Sequence, residues 1–168
     1  MKFRFEHEFD VDVERLEEAM FSEELPAFLK EHMPSLKDME VLERREEGER
    51  LMRKVRYEPV PLIEKVGPKR VPPEAMIWVE ESSYDRKRKV LDFKNVPTHP
   101  KVRGLMKNYG TVELQSAGPG KSRRTMQGEL KVSVPILGRV AEKIIFKTAG
   151  KVIEEEAKAL EQFLASRS

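Results

Sequence analysis

Two arginines fall where the alternation of a strand points them inward. Arg53 is in phase with Val55 and Tyr57, and Arg124 is in phase with Met126 and Leu130. A guanidinium withdrawn from water needs a carboxylate or an anionic ligand against its planar fork. Each is therefore either half of an internal pair with an acid such as Glu80 or Glu81, the favoured outcome, or a contact for a ligand head group. Arg123 adjoins Arg124, so one of the two must face out whatever the register.

Other chemistry-bearing residues fail on spacing or context. Gly118-Pro119-Gly120-Lys121-Ser122 ends like a phosphate-binding loop, but the earlier glycine would fall at Gln115 and a strand follows instead of a helix, so it reads as a hairpin turn. His7, His32 and His99 sit on a strand, a helix end and a loop, a scatter that gathers no metal ligands. There is no cysteine to supply a thiolate and no Gly-x-Ser-x-Gly elbow, and the many glutamates read as solvated faces. His7 facing inward would be a general base or, more simply, a hydrogen-bonded core histidine. No catalytic residue, metal ligand or cofactor is assigned.

Composition bounds the rest. A chain of 168 residues, 39% hydrophobic and 37% charged, fits a single domain over residues 1–168 with one sizeable core. The absence of cysteine fits a reducing, cytoplasmic setting, and neither a signal peptide nor a transmembrane helix is expected. The net charge of +2 conceals −8 over residues 1–50 and +12 over residues 51–151. Such a basic middle attracts phosphate, of nucleic acid or of an anionic membrane to which the protein is peripheral, or else reflects Lys and Arg on solvent-facing strands. Aromatics are too sparse there for a nucleic-acid stacking platform, and nucleic acid is the weaker choice. The oligomeric state is open.

The elements that must hold these residues follow from periodicity. Phe3, Phe5, His7 and Phe9 alternate with charged residues, a strand with one buried face. Asp10 and Asp12 are N-cap candidates for a short helix through Val13, Leu16, Ala19 and Met20, and Ser22 restarts a second through Leu25, Phe28 and Leu29. Three hairpins follow, turning at Glu47-Gly48, at residues 85–88 and at residues 117–120, with strands over 39–45, 51–58, 75–84, 89–96, 110–116 and 123–134. Met76 and Trp78 oppose Ile77 and Val79, so the inner face of the 75–84 strand is ambiguous. Residues 59–73 and 97–107 read as long apolar loops. From Leu137 to Ala165 the period becomes helical, with Val140, Ile144, Thr148, Val152, Ala159 and Phe163 on the apolar stripe and Glu154, Glu155 and Glu156 facing water.

A strand, two short helices, a meander of six or seven antiparallel strands and a long terminal helix is the helix-grip order, an α+β arrangement in which a curved sheet wraps the last helix. In this the chain resembles the START-like (SRPBCC) superfamily of polyketide-cyclase and lipid-transport domains over nearly its whole length. Gly128-Glu129-Leu130 followed by residues 134–142 looks like the strand-to-helix junction of an uncharacterised bacterial branch. Glu81-Ser82-Ser83-Tyr84-Asp85 with Leu91 and Asn95-Val96 is similar to PRELI-like phospholipid-transfer domains.

The resemblance implies an internal cavity between sheet and helix for an apolar ligand such as a phospholipid or fatty acyl molecule, bound or transported without catalysis. Its alternatives are a polyketide cyclase or aromatase and a protein-interaction module. A curved sheet around one helix also tends to leave such a space on physical grounds. Inward candidates for its wall are Arg53, Val55, Tyr57, Trp78, Leu91, Phe93, Val112, Leu114, Arg124, Met126 and Leu130, facing Ile144, Ile145 and Thr148. In the loop 59–73, Leu62, Ile63 and Val66 amid Lys65, Lys69 and Arg70 form either a lid that touches a membrane or a packed cover.

Overall fold

Alternation along β1 (Lys2–Phe9) has the consequence that period-two patterning dictates. In the computed structural model, which describes residues 1–167, Phe3, Phe5, His7 and Phe9 turn away from solvent while Lys2, Arg4, Glu6 and Glu8 stay exposed. Helix α1 (Val13–Met20) then buries Val13, Leu16 and Ala19, and α2 (Leu25–His32), with Pro26 in its first turn, buries Leu25 and Leu29. Strands β2 (Leu36–Glu47) and β3 (Arg50–Pro59) form the first hairpin.

The loop expected over 59–73 contains a small hairpin, β4 (Lys65–Val66) and β5 (Lys69–Arg70), and ends in a 3-10 turn, Pro73–Met76. Pro72 and Pro73 prevent a ladder there, so β6 starts only at Trp78 (Trp78–Asp85) and not at Ala75. Next come β7 (Val90–Pro97), one helical turn α3 (Pro100–Arg103), β8 (Met106–Gly118), β9 (Lys121–Val132) and the 29-residue helix α4 (Gly138–Ser166). Strand β8 begins four residues before Gly110, because its pairing with β9 continues through that glycine to Met106.

Seven strands make one sheet in the order β1-β9-β8-β7-β6-β3-β2, every neighbouring pair antiparallel. The first strand thus pairs with the last, and the chain crosses to the far edge through α1 and α2 before meandering back. Asp12 occupies the N-cap position of α1 but does not cap it; Oδ1 accepts the backbone N–H of Gly120 at 3.1 Å and ties the helix to the β8–β9 turn.

Gly110 and Gly128 face each other across β8 and β9. A Cβ on Gly110 would lie 2.1 Å from the Gln127 carbonyl oxygen, and one on Gly128 would lie 2.2 Å from that of Tyr109. Glycine at both positions lets the two backbones approach this closely, the kind of site at which a sheet can bend.

The core lies at one end of that wrap. Leu16, Leu25 and Leu29 meet Leu51, Val55 and Tyr84 from the sheet and Ala157, Leu160, Phe163 and Leu164 from the last turns of α4. Each large side chain fully buried here contributes about 1.5–3 kcal/mol. Between Ala141 and Ala157, by contrast, α4 has no buried residue. Among the described residues no helix is long and apolar enough to cross a membrane.

Candidate functional site on the concave face of the sheet

Directly opposed residues of an antiparallel pair share a face, so the registers read out the concave side row by row. Leu51 opposes Tyr84, Arg53 opposes Ser82, Val55 opposes Glu80 and Tyr57 opposes Trp78. The ambiguity of β6 is resolved: Trp78, Glu80, Ser82 and Tyr84 face inward. The row through Val55 and Glu80 continues across β7, β8 and β9 as Asn95, Asn108 and Leu130.

That row gives the apolar concavity a polar stripe. Asn95 Nδ2 donates to Asn108 Oδ1 at 2.6 Å, and Asn108 Nδ2 donates to the Glu129 carbonyl at 3.2 Å. Asn95 Oδ1 is buried without a partner, as is Nε of Arg53, whose guanidinium lies 5.0 Å from the centre of the Phe21 ring. Tyr57 stacks on Trp78 with ring centres 5.1 Å apart. Burial raises the Glu80 carboxyl above the ordinary carboxylate range, with the Arg53 charge opposing that shift and Glu156 adding to it. Burial likewise pushes the Tyr57 phenol well up, and Glu80 reinforces it while Arg53 opposes. Tyr57 and Glu80 are surrounded by protein yet keep accessible surface. A cation, a carboxyl, a phenol and an amide thus share one face, enough to hold one polar end of a largely apolar molecule or to exchange a proton with it.

The remaining sequence candidates divide by depth. Val55, Leu91, Phe93, Val112, Leu114 and Leu130 are buried, whereas Trp78, Met126, Ile144, Ile145 and Thr148 are half-buried, like Arg53 and Tyr57. Arg124 is buried and does not meet Glu80 or Glu81. It makes a bidentate pair with Glu156 of α4, at 2.9 and 2.5 Å, while Arg123 faces out to Glu8. Of the acids of residues 154–156, all expected in water, Glu154 stays exposed while Glu155 and Glu156 are half-buried, and each ties α4 to a different neighbour. Glu154 meets His7 Nε2 at 2.7 Å, Glu155 accepts the Ser35 N–H at 2.8 Å, and Glu156 takes Arg124. Each lies about 100° from the next around the helix, so adjacent acids reach different neighbours.

Of the suggested lid, Leu62, Lys65, Lys69 and Arg70 are exposed, and Ile63 and Val66 are half-buried. The hairpin abuts the start of α4, where a Cβ on Gly67 would stand 3.1 Å from the Leu137 side chain. Asn108 was not singled out from sequence, and Asn95 entered only through the resemblance to PRELI-like domains, not as a wall residue. Asn95 is in phase with Leu91 and Phe93, and carrying the alternation to the end of that strand would have found it.

Residues 4–164 match the family model described as "Protein of unknown function (DUF2505)". No curated protein matches the sequence. The structure is similar to that of TTHA0849 from Thermus thermophilus, with a TM-score of 0.70 and 21% identity over 100% of this chain and 99% of that one. It is also similar to the Zhui aromatase/cyclase from Streptomyces sp. R1128, with a TM-score of 0.65 and 12% identity over 99% of this chain and 94% of that one. A START superfamily protein from Mycobacterium smegmatis matches with a TM-score of 0.58 and 15% identity over 99% of each chain. The shared architecture is the START-like helix-grip fold, an α+β fold.

Proposed function

Because the chain belongs to the DUF2505 family and carries the START-like fold, we propose that it binds an apolar ligand with one polar end between the concave face of the sheet and the first half of α4. A single observation supports this most: Arg53 Nε and Asn95 Oδ1 are buried with no partner on the face that also carries Tyr57 and Glu80. A buried donor and acceptor left empty cost about 1–3 kcal/mol each, a cost that a ligand's carboxylate, phosphate or hydroxyl would offset. The half-buried Trp78, Met126, Ile145 and Thr148 offer the apolar wall for the rest of such a molecule. A fatty acyl molecule or a phospholipid has this make-up, and carriage of the ligand needs no reacting group.

Native mass spectrometry of the purified chain, followed by organic extraction, tests this. A co-purifying apolar molecule is expected, and Arg53→Met should lower uptake of a fluorescent fatty acid about tenfold, the loss of one charge-assisted bond. A chain that carries nothing and takes up no fatty acyl probe sinks the proposal. Recovery of an added polyketide in cyclised form would move the assignment to an enzyme, with Glu80 as its acid–base group.

A further inference from the structure

The first four turns of α4 carry a ridge of cations. Arg139, Lys143, Lys147 and Lys151 recur every four residues. At about 100° per residue this keeps them on one side of the helix, opposite the face through Ala141, Ala159 and Phe163 that meets the core. All four are exposed, and among the described residues none forms an ion pair. Other cations, such as Arg56, Arg86, Lys89 and Arg123, are held by carboxylates. Beyond Lys151 the same side alternates, with Glu154 and Glu161 flanking exposed Lys158, so the ridge is an unbroken run of cations only over this stretch.

Apolar side chains gather at the same end. Ile136 is 96% exposed and holds φ +68, a left-handed conformation that strains a β-branched residue. Val140 is exposed one turn later on the cationic side. Leu105 is exposed as well, and its carbonyl accepts the N–H of Ser133 at 2.7 Å, which fixes it beside this junction. The β4–β5 hairpin, pressed against Leu137 at Gly67, adds exposed Leu62 and the cations Lys65, Lys69 and Arg70.

We propose that this end of the molecule docks on an anionic lipid bilayer, with Ile136, Val140, Leu105 and Leu62 entering the interface and the ridge meeting lipid phosphates. Apolar side chains interleaved with cations suit a bilayer boundary, where each finds its own layer. A nucleic acid would use cations with aromatic platforms, and the ridge offers only Phe146, whose ring is taken up by stacking on Phe5 at 5.7 Å. Docking here stands independently of whether a ligand is held under α4.

Co-sedimentation with vesicles is the test. The full chain should bind phosphatidylcholine vesicles that contain phosphatidylglycerol, should ignore pure phosphatidylcholine, and should release as salt is raised. Lys143→Glu together with Lys147→Glu should weaken binding about tenfold or more. Ile136→Gly should raise the melting temperature, because glycine accepts the left-handed conformation, yet weaken vesicle binding several-fold. A role confined to folding would not separate those two readouts. Equal binding to neutral vesicles, unchanged binding by both variants, or retention on duplex DNA with none on vesicles would overturn the proposal.

Discussion

Arg124 illustrates how one buried charge is made tolerable. It is 4% exposed, and burial alone would push the guanidinium pKa down; the charge and hydrogen bonds of Glu156 more than offset that and raise it overall. The guanidinium also lies 5.5 Å from the centre of the Phe9 ring. Removing one partner strands the other, so Glu156→Gln should cost about 3 kcal/mol. The double change Arg124→Met with Glu156→Met should return to within about 1 kcal/mol of the parent, because a buried pair gains little over packed apolar groups. Urea unfolding of the three chains decides it; a double variant as unstable as the single one would mean the pair is a net stabiliser. The inward direction of Arg124 was legible from its phase with Met126 and Leu130. Its partner was legible too, since Glu156 stands four residues from Val152 and seven from Phe163 on the same helical face, but a run of three glutamates reads by composition as a solvated patch. Arg53 and Tyr57 were likewise found by phase, whereas the unpartnered atoms of Arg53 and Asn95 depend on surroundings that no spacing encodes.

At the scale of the element, Gly110 and Gly128 let β8 and β9 approach each other closely. An alanine at either position puts a Cβ within 2.2 Å of a backbone oxygen that cannot move without opening the ladder. Gly110→Ala should therefore lose about 3 kcal/mol, at the upper end of overpacking costs. Gly104→Ala, where an added Cβ meets nothing within 4 Å, should lie within about 0.5 kcal/mol of the parent. Equal melting temperatures for the two variants would show that the close approach at Gly110 accommodates a side chain. Long periodic elements were legible before any coordinates: β1, both short helices, the hairpins and α4 lie within a few residues of where alternation and the 3.6-residue period put them. Boundaries at glycine and proline were not. Gly110 weakens a strand locally and so reads as its start, although tertiary pairing carries β8 through it. The prolines of residues 59–73 suppress a strand signal strongly enough to hide the short β4–β5 pair, which bonds only between residues 65–70.

Across the whole molecule the two ends of α4 live in different surroundings. Its last turns are locked: Leu160 and Phe163 are at most 1% exposed, Phe163 meets Phe28 edge-on with ring centres 5.2 Å apart, and Arg167 lies 3.9 Å from the centre of the Phe163 ring while bonding Glu24. In the first turns Ile144, Ile145 and Thr148 are half-buried, and outside Gly138 and Ala141 these turns bury nothing before Ala157. Local opening follows local burial. Amides of residues 143–153 should therefore exchange hydrogen at least about tenfold faster than those of residues 158–164, a gap of about 1.4 kcal/mol in opening free energy. The three tethers at Glu154, Glu155 and Glu156 set the boundary between the two regimes. An apolar molecule seated under the first half would add contacts to the segment that has fewest, so saturating fatty acid should slow exchange there and leave the last two turns unchanged. Uniform exchange along α4 would erase the difference between its two halves, and protection confined to the last turns would place any bound molecule at the wrong end of the helix.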